Sequence, residues 1–112
     1  MTELINALRS ILGPRGLLTE PADVAPFLTD FRGRMTGHAR AVALPATVEE
    51  AASTMRLAFE HDTPVYPLGG NTGLCFGAVP VGNAGRPDGL VVCLSRMNGL
   101  RSLDLAANVL TV

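Results

Sequence analysis

Pro67-Leu68-Gly69-Gly70-Asn71-Thr72-Gly73-Leu74 is the stretch of this 112-residue chain whose residue types and spacing could do chemistry. An anion such as a diphosphate is held by backbone amides aimed at one point, by φ angles free to turn positive, and by the absence of side chains in its path. Gly69, Gly70 and Gly73 meet the second and third conditions. Asn71 tolerates left-handed backbone and offers an amide donor, and the Thr72 hydroxyl can donate to an anion oxygen. The segment matches neither the P-loop pattern, since no Lys follows, nor GxGxxG, since Asn71 and Thr72 break that spacing. On residue types alone it is an anion-binding loop or a plain Gly-rich turn, with equal weight.

The other reactive side chains offer less. His61 ends a helical pattern, where a cation complements the helix dipole, and His38 sits in a polar connection. Cys75 has no base beside it, and Cys75 and Cys93 read as packing residues. Their spacing gives neither a zinc site nor a disulfide framework, so no metal is expected and a reducing, cytoplasmic compartment is.

The elements that must position the loop follow from periodicity. Leu4, Ile5, Leu8, Ile11 and Leu12 form one helical stripe over residues 2–12, with Thr2 as N-cap and Gly13-Pro14 as the stop. A short helix over Ala22 to Leu28 follows. Ala41 to Leu44 reads as a buried strand ended by Pro45. Thr47-Val48-Glu49-Glu50 is a capping box, in which Thr47 takes the Glu50 amide and the Glu50 carboxylate reaches back to the Thr47 amide. Val48, Ala51, Ala52, Met55, Ala58 and Phe59 then predict the buried face of a helix running to about His61.

Val65 to Leu68 is a second strand, and strand, helix, strand over this length is a right-handed crossover between parallel strands. The candidate loop therefore lies at the carboxyl end of a parallel strand, where open α/β sheets bind ligands. Val81 to Gly89 is an exposed connection, and Leu90 to Leu94 a third strand buried on both faces. Ser95 to Gly99 turns the chain, and Leu103 and Leu105 alternate as a half-buried strand that pairs with Asn108 to Val112 through a hairpin.

Composition limits the function classes. The nine basic residues are all Arg, and the formal net charge is −1, so no basic field exists for nucleic acid or an anionic membrane. Apolar runs are too short for a membrane span or a signal peptide. The fractions of 47% apolar and 17% charged residues fit a globular domain.

Three pieces in this order and spacing resemble the FAD-binding domain of the vanillyl-alcohol oxidase and p-cresol methylhydroxylase superfamily. They are Leu28-Thr29-Asp30-Phe31-Arg32-Gly33, Val42 through Glu50, and Pro67 through Pro80 continuing to Leu94-Ser95-Arg96-Met97-Asn98. The D-2-hydroxyacid dehydrogenases, acting on D-lactate, D-2-hydroxyglutarate or glycolate, are the most similar branch.

The resemblance implies an α+β fold: the first lobe of a p-cresol methylhydroxylase-type FAD-binding domain, a small parallel sheet with flanking helices, plus the first strands of the second lobe, truncated. Residues 1–33 would be an N-terminal helical segment and 34–112 a partial FAD-binding domain. By position, Pro67, Gly69, Gly70, Asn71, Thr72, Gly73 and Leu74 inherit the FAD diphosphate, while Pro45, Ser95 and Asn98 lie where the family's flavin pocket is lined. For Pro45 a simple strand end, and for Ser95 and Asn98 turn chemistry, stay open.

Some relatives attach flavin through a His in this loop. Asn71 stands there, which implies noncovalent FAD. The family often has Gln or Arg where Leu68 stands and a small residue, commonly Gly, where Phe76 stands. The complete enzyme would take a hydride from a D-2-hydroxyacid onto flavin and pass electrons to a separate acceptor. No residue of this chain is assigned to substrate oxidation. The alternatives are an inactive or split fragment needing a complementary chain, and a phosphate-binding module without flavin.

Overall fold

A computed structural model describes residues 2–82 and 88–112. Helix α1 (Thr2–Gly16) buries Leu4, Leu8 and Leu12 of the five-residue stripe predicted for it, at i, i+4 and i+8, while Ile5 is half-buried and Ile11 exposed. Its α-helical path breaks at Gly13, whose φ of 70° is open to glycine at little cost, so the expected stop becomes a kink before one further turn. Strand β1 (Leu17–Leu18) follows, then the short α2 (Pro21–Val24) and a 3-10 turn over Ala25–Phe27. These last two replace the single helix expected over Ala22 to Leu28, and Pro26 in the 3-10 turn accounts for the change of winding.

Strands β2 (Ala39–Ala43), β3 (Val65–Leu68) and β4 (Gly89–Cys93) are parallel, and helix α3 (Val48–Glu60) connects the first two. The order across the sheet is β1-β2-β4-β3, with β1 antiparallel to β2. The predicted crossover therefore spans a strand, because β4 inserts between the two strands it joins. Of the connection expected over Val81 to Gly89, residues 83–87 lie outside the described residues.

Side-chain alternation gives the sheet two covered faces. Ala41, Ala43, Leu90 and Val92 pack with Leu4, Leu8 and Leu12 of α1 and Ala58 of α3. Val42, Val91, Leu68 and Cys93 pack on the other face with Val24, Phe27 and Leu28. Packing runs across the 33/34 boundary, since α1 supplies a large part of the first cluster.

The buried face of α3 coincides with the predicted one only in part: Ala58 is buried and Ala51 half-buried as expected. Met55 is 49% and Phe59 87% exposed, and Val48 is exposed too, whereas Thr54 and Ala58 are buried. The small side chains let α3 approach α1 and the sheet. Thr54 can be buried because its hydroxyl donates to the Glu50 carbonyl at 2.8 Å. The cap forms with one change: Thr47 Oγ1 accepts from the Glu50 amide at 3.1 Å, but Glu50 Oε2 takes the Ala46 amide at 2.6 Å. The extended backbone at Thr47 (φ −131°, ψ 161°) turns the preceding amide over the first helical turn.

A separate hairpin, β5 (Ser102–Asp104) and β6 (Val109–Thr111), closes the described chain. It pairs as expected, with Asp104 Oδ1 accepting from the Ala107 amide in the turn. Leu103 and Leu105, expected to be half-buried, are 56% and 79% exposed, because no layer of the described residues covers a two-stranded sheet.

Candidate functional site

Because β2, β4 and β3 are parallel neighbours, their carboxyl ends share one edge of the sheet. That edge carries the three segments singled out by sequence: Pro45 after β2, Ser95 to Asn98 after β4, and the Gly-rich loop from Pro67 at the end of β3. The Leu94 amide donates to the Leu68 carbonyl at 3.0 Å, extending the ladder up to the loop. This is the edge at which open parallel sheets bind ligands.

The loop's backbone is open. A Cβ built on Gly69, Gly70 or Gly73 would meet no atom within 4 Å. The glycines thus act by lacking side chains rather than by turning left-handed: none of the three has positive φ, and that geometry falls on Asn71 (φ 56°) and Phe76 (φ 64°). Phe76 occupies a conformation that costs an L-residue about 1–2 kcal/mol, which explains why a small residue suits this position. Thr72 and Leu74 are exposed, as is Pro67. No hydrogen bond of the Thr72 hydroxyl is found among the described residues, which leaves it available to an anion.

Asn71 is committed elsewhere. Its Nδ2 donates to the Thr29 carbonyl at 2.8 Å, tying the Gly-rich loop to the Leu28–Gly33 piece across 42 residues. That piece is organised by Asp30, only 6% exposed, whose Oδ1 accepts from the amides of Arg34 (2.6 Å) and Met35 (2.8 Å) and Oδ2 from Arg32 (3.1 Å). The Met35 amide does most to hold the carboxyl below its ordinary value of 3.8, burial opposes it, and the Arg34 and Arg32 amides add to the lowering.

Pro45 is fully buried, so its ring is a strand-end packing group and the adjoining Ala46, Thr47 and Val48 face solvent in its place. Those three line an open cleft of about 420 Å³ with Arg96, Met97, Asn98 and Arg101. Asn98 is therefore on the cleft wall, while the Ser95 hydroxyl accepts from Cys93 Sγ at 3.4 Å. Cys93 is buried as expected, but Cys75 is exposed, because it follows the open loop. His61 is the C-cap residue of α3 and His38 is exposed, its amide donating to the Pro80 carbonyl.

Two features escape sequence reading. Arg96 donates from Nη1 to the Leu44 carbonyl at 2.8 Å. Gly37 lies against Pro80 so closely that a Cβ would come within 2.3 Å of its carbonyl oxygen. Neither has a local signal, since both are contacts between distant segments.

The family model of the FAD binding domain matches residues 39–112, and the chain belongs to that family. It is 33% identical over 108 residues to the quinone-dependent D-lactate dehydrogenase of Haemophilus influenzae, covering 96% of this chain and 19% of that protein. It is 38% identical over 108 residues to the D-2-hydroxyglutarate dehydrogenase of Xanthomonas citri pv. viticola, covering 96% of this chain and 22% of that protein. The chain thus spans about one fifth of the length of these relatives.

Among solved structures, alkyldihydroxyacetonephosphate synthase shares the fold with a TM-score of 0.79 at 19% identity, covering 93% of this chain and 20% of that one. p-Cresol methylhydroxylase does so with a TM-score of 0.73 at 20% identity, covering 92% and 20%. The α+β fold and the FAD cofactor inferred from the resemblance both stand. The residues fit the cofactor's diphosphate: at the carboxyl end of β3 three backbone positions without side chains leave room for an anion beside an exposed hydroxyl.

Proposed function

We propose that this chain is the diphosphate-holding portion of a flavin-dependent oxidoreductase acting on a D-2-hydroxyacid. The observation that carries the reading is the open backbone of Gly69, Gly70 and Gly73 at the shared carboxyl edge of β2, β4 and β3. FAD, when bound, supplies the hydride acceptor. The chain's own part is binding: amides of the Gly69–Gly73 loop and the Thr72 hydroxyl hold the diphosphate, and the cleft bearing Asn98 receives a further part of the cofactor.

A hydroxyacid substrate and a separate electron acceptor are supported by the names of the two relatives, a D-lactate and a D-2-hydroxyglutarate dehydrogenase. Noncovalent attachment is supported by Asn71, an amide engaged with Thr29 where some relatives carry His. A cytoplasmic location belongs to the same proposal, on the cysteine usage. A complementary chain is the second arrangement, favoured by the uncovered Leu103, Leu105 and Leu110 of the hairpin.

The test is to express the chain with FAD, record its visible spectrum and then precipitate it with acid. Flavin absorption that moves wholly into the supernatant is expected. Colourless protein that does not titrate with FAD sinks the binding reading, and flavin retained in the pellet sinks its noncovalent part.

A further inference from the structure

The loop from Leu28 to Gly37 is closed at its neck and filled by one carboxylate. The Thr29 and Thr36 hydroxyl oxygens lie 2.9 Å apart, the Gly37 amide donates to the Leu28 carbonyl at 2.9 Å, and the Asp30 amide donates to the Met35 carbonyl at 3.1 Å. Inside this ring the Asp30 carboxylate gathers the three amides of Arg32, Arg34 and Met35. The residue just before Asp30 supplies the carbonyl that Asn71 grips from the Gly-rich loop.

Asn71 sits at φ 56°, a left-handed geometry that Asn tolerates and that its side-chain bond to Thr29 selects. Its amide bond to Thr29 is the one side-chain hydrogen bond found for the segment Gly69–Gly73 among the described residues. Thr29 is therefore the side-chain tether of the loop.

We propose that Asp30 is a positioning residue for the Gly-rich loop: by ordering the Thr29–Thr36 ring it holds the Thr29 carbonyl that keeps Asn71 in its left-handed turn and so orders the Gly69–Gly73 backbone. The link to cofactor affinity rests on the FAD reading above; the link to loop order does not.

The experiment is a double-mutant cycle on the full chain with Asp30→Asn, which keeps the shape and removes the anionic acceptor, and Asn71→Gly, which keeps the left-handed turn and removes the donor. Backbone order is read by nitrogen NMR relaxation without cofactor. The order parameters of Gly69, Gly70 and Gly73 are expected to fall toward ~0.6 in each single variant and no further in the double, while those of Val91 and Val92 stay unchanged. Unchanged loop order parameters in Asp30→Asn, or effects that add in the double variant, overturn the proposal. So does an equal fall in β4, which marks Asp30 as a general stability residue.

FAD titration of the same four proteins separates the two readings. Weaker binding in both single variants, without further loss in the double, supports the positioning role through to the cofactor. Should the parent chain bind no FAD, the functional reading fails, and the relaxation cycle still decides the role of Asp30.

Discussion

Arg96 and Leu44 are 52 residues apart in sequence, and the Arg96 Nη1 donates to the Leu44 carbonyl oxygen at 2.8 Å. The bond joins the turn after β4 to the end of β2, so it pins together two of the three carboxyl ends that form the candidate site. The same Leu44 offers its amide to the Gly16 carbonyl at 2.7 Å, bringing the end of α1 into the junction.

Replacing Arg96 by Met keeps the aliphatic stem and deletes the donor. The cost expected is about 1 kcal/mol, that of an ordinary hydrogen bond and below the range for a charged donor, because Arg96 is exposed. Urea unfolding should show a lower midpoint at an unchanged slope. A midpoint equal to that of the parent would remove Arg96 from the account of how the edge is held.

Gly37→Ala tests the tightest surroundings of any glycine among the described residues. Its Cβ would lie 2.3 Å from the Pro80 oxygen, a backbone atom that cannot rotate away, and the adjoining His38 amide would lose its bond to that oxygen. Destabilisation of about 1–3 kcal/mol is expected from overpacking. Gly70→Ala, with no atom within 4 Å of the new Cβ, is the control and should leave the melting temperature nearly unchanged.

These contacts mark the boundary of what sequence makes legible. The β2 and β4 strands are readable because Ala41 to Leu44 and Leu90 to Leu94 are continuous apolar runs, as doubly covered parallel strands require. The loop is readable because three glycines in five residues are a local signal. Strand order is not, because nothing local says that β4 inserts between β2 and β3. The buried face of α3 is readable only in part: Ala51 and Ala58 fall on the apolar stripe, but buried Thr54 does not, and the larger Val48, Met55 and Phe59 dominate the periodicity while facing solvent. Asp30 escapes as well, since a carboxylate that caps three amides resembles any surface Asp until the backbone around it is seen.

Acid should weaken the Asp30 ring. The folded carboxyl is held below 3.8, so in acid the unfolded chain takes up its proton first. The stabilisation is fully present above that value and is lost as pH falls through it toward the folded pKa. The stability difference between the parent and Asp30→Asn should accordingly be largest near neutrality and shrink as pH falls from ~5 to ~3. Urea unfolding across that range measures it, and a difference independent of pH would show that the charge of Asp30 is not what matters.

Phe76→Gly should be tolerated, since relief of the left-handed strain at φ 64° offsets the added chain entropy, each about 1 kcal/mol. Phe76→Val, β-branched at the same φ, should lower the melting temperature. Thermal unfolding of the two variants gives the comparison, and the reverse order would contradict the assigned backbone geometry.

The central claim is that the open backbone of the Gly-rich loop holds the FAD diphosphate, and FAD titration of the parent chain against Gly70→Val tests it most directly. The account predicts saturable flavin binding by the parent and a dissociation constant raised at least about tenfold, or 1.4 kcal/mol, in a Gly70→Val chain with unchanged circular dichroism. Equal affinity in the two proteins would contradict it.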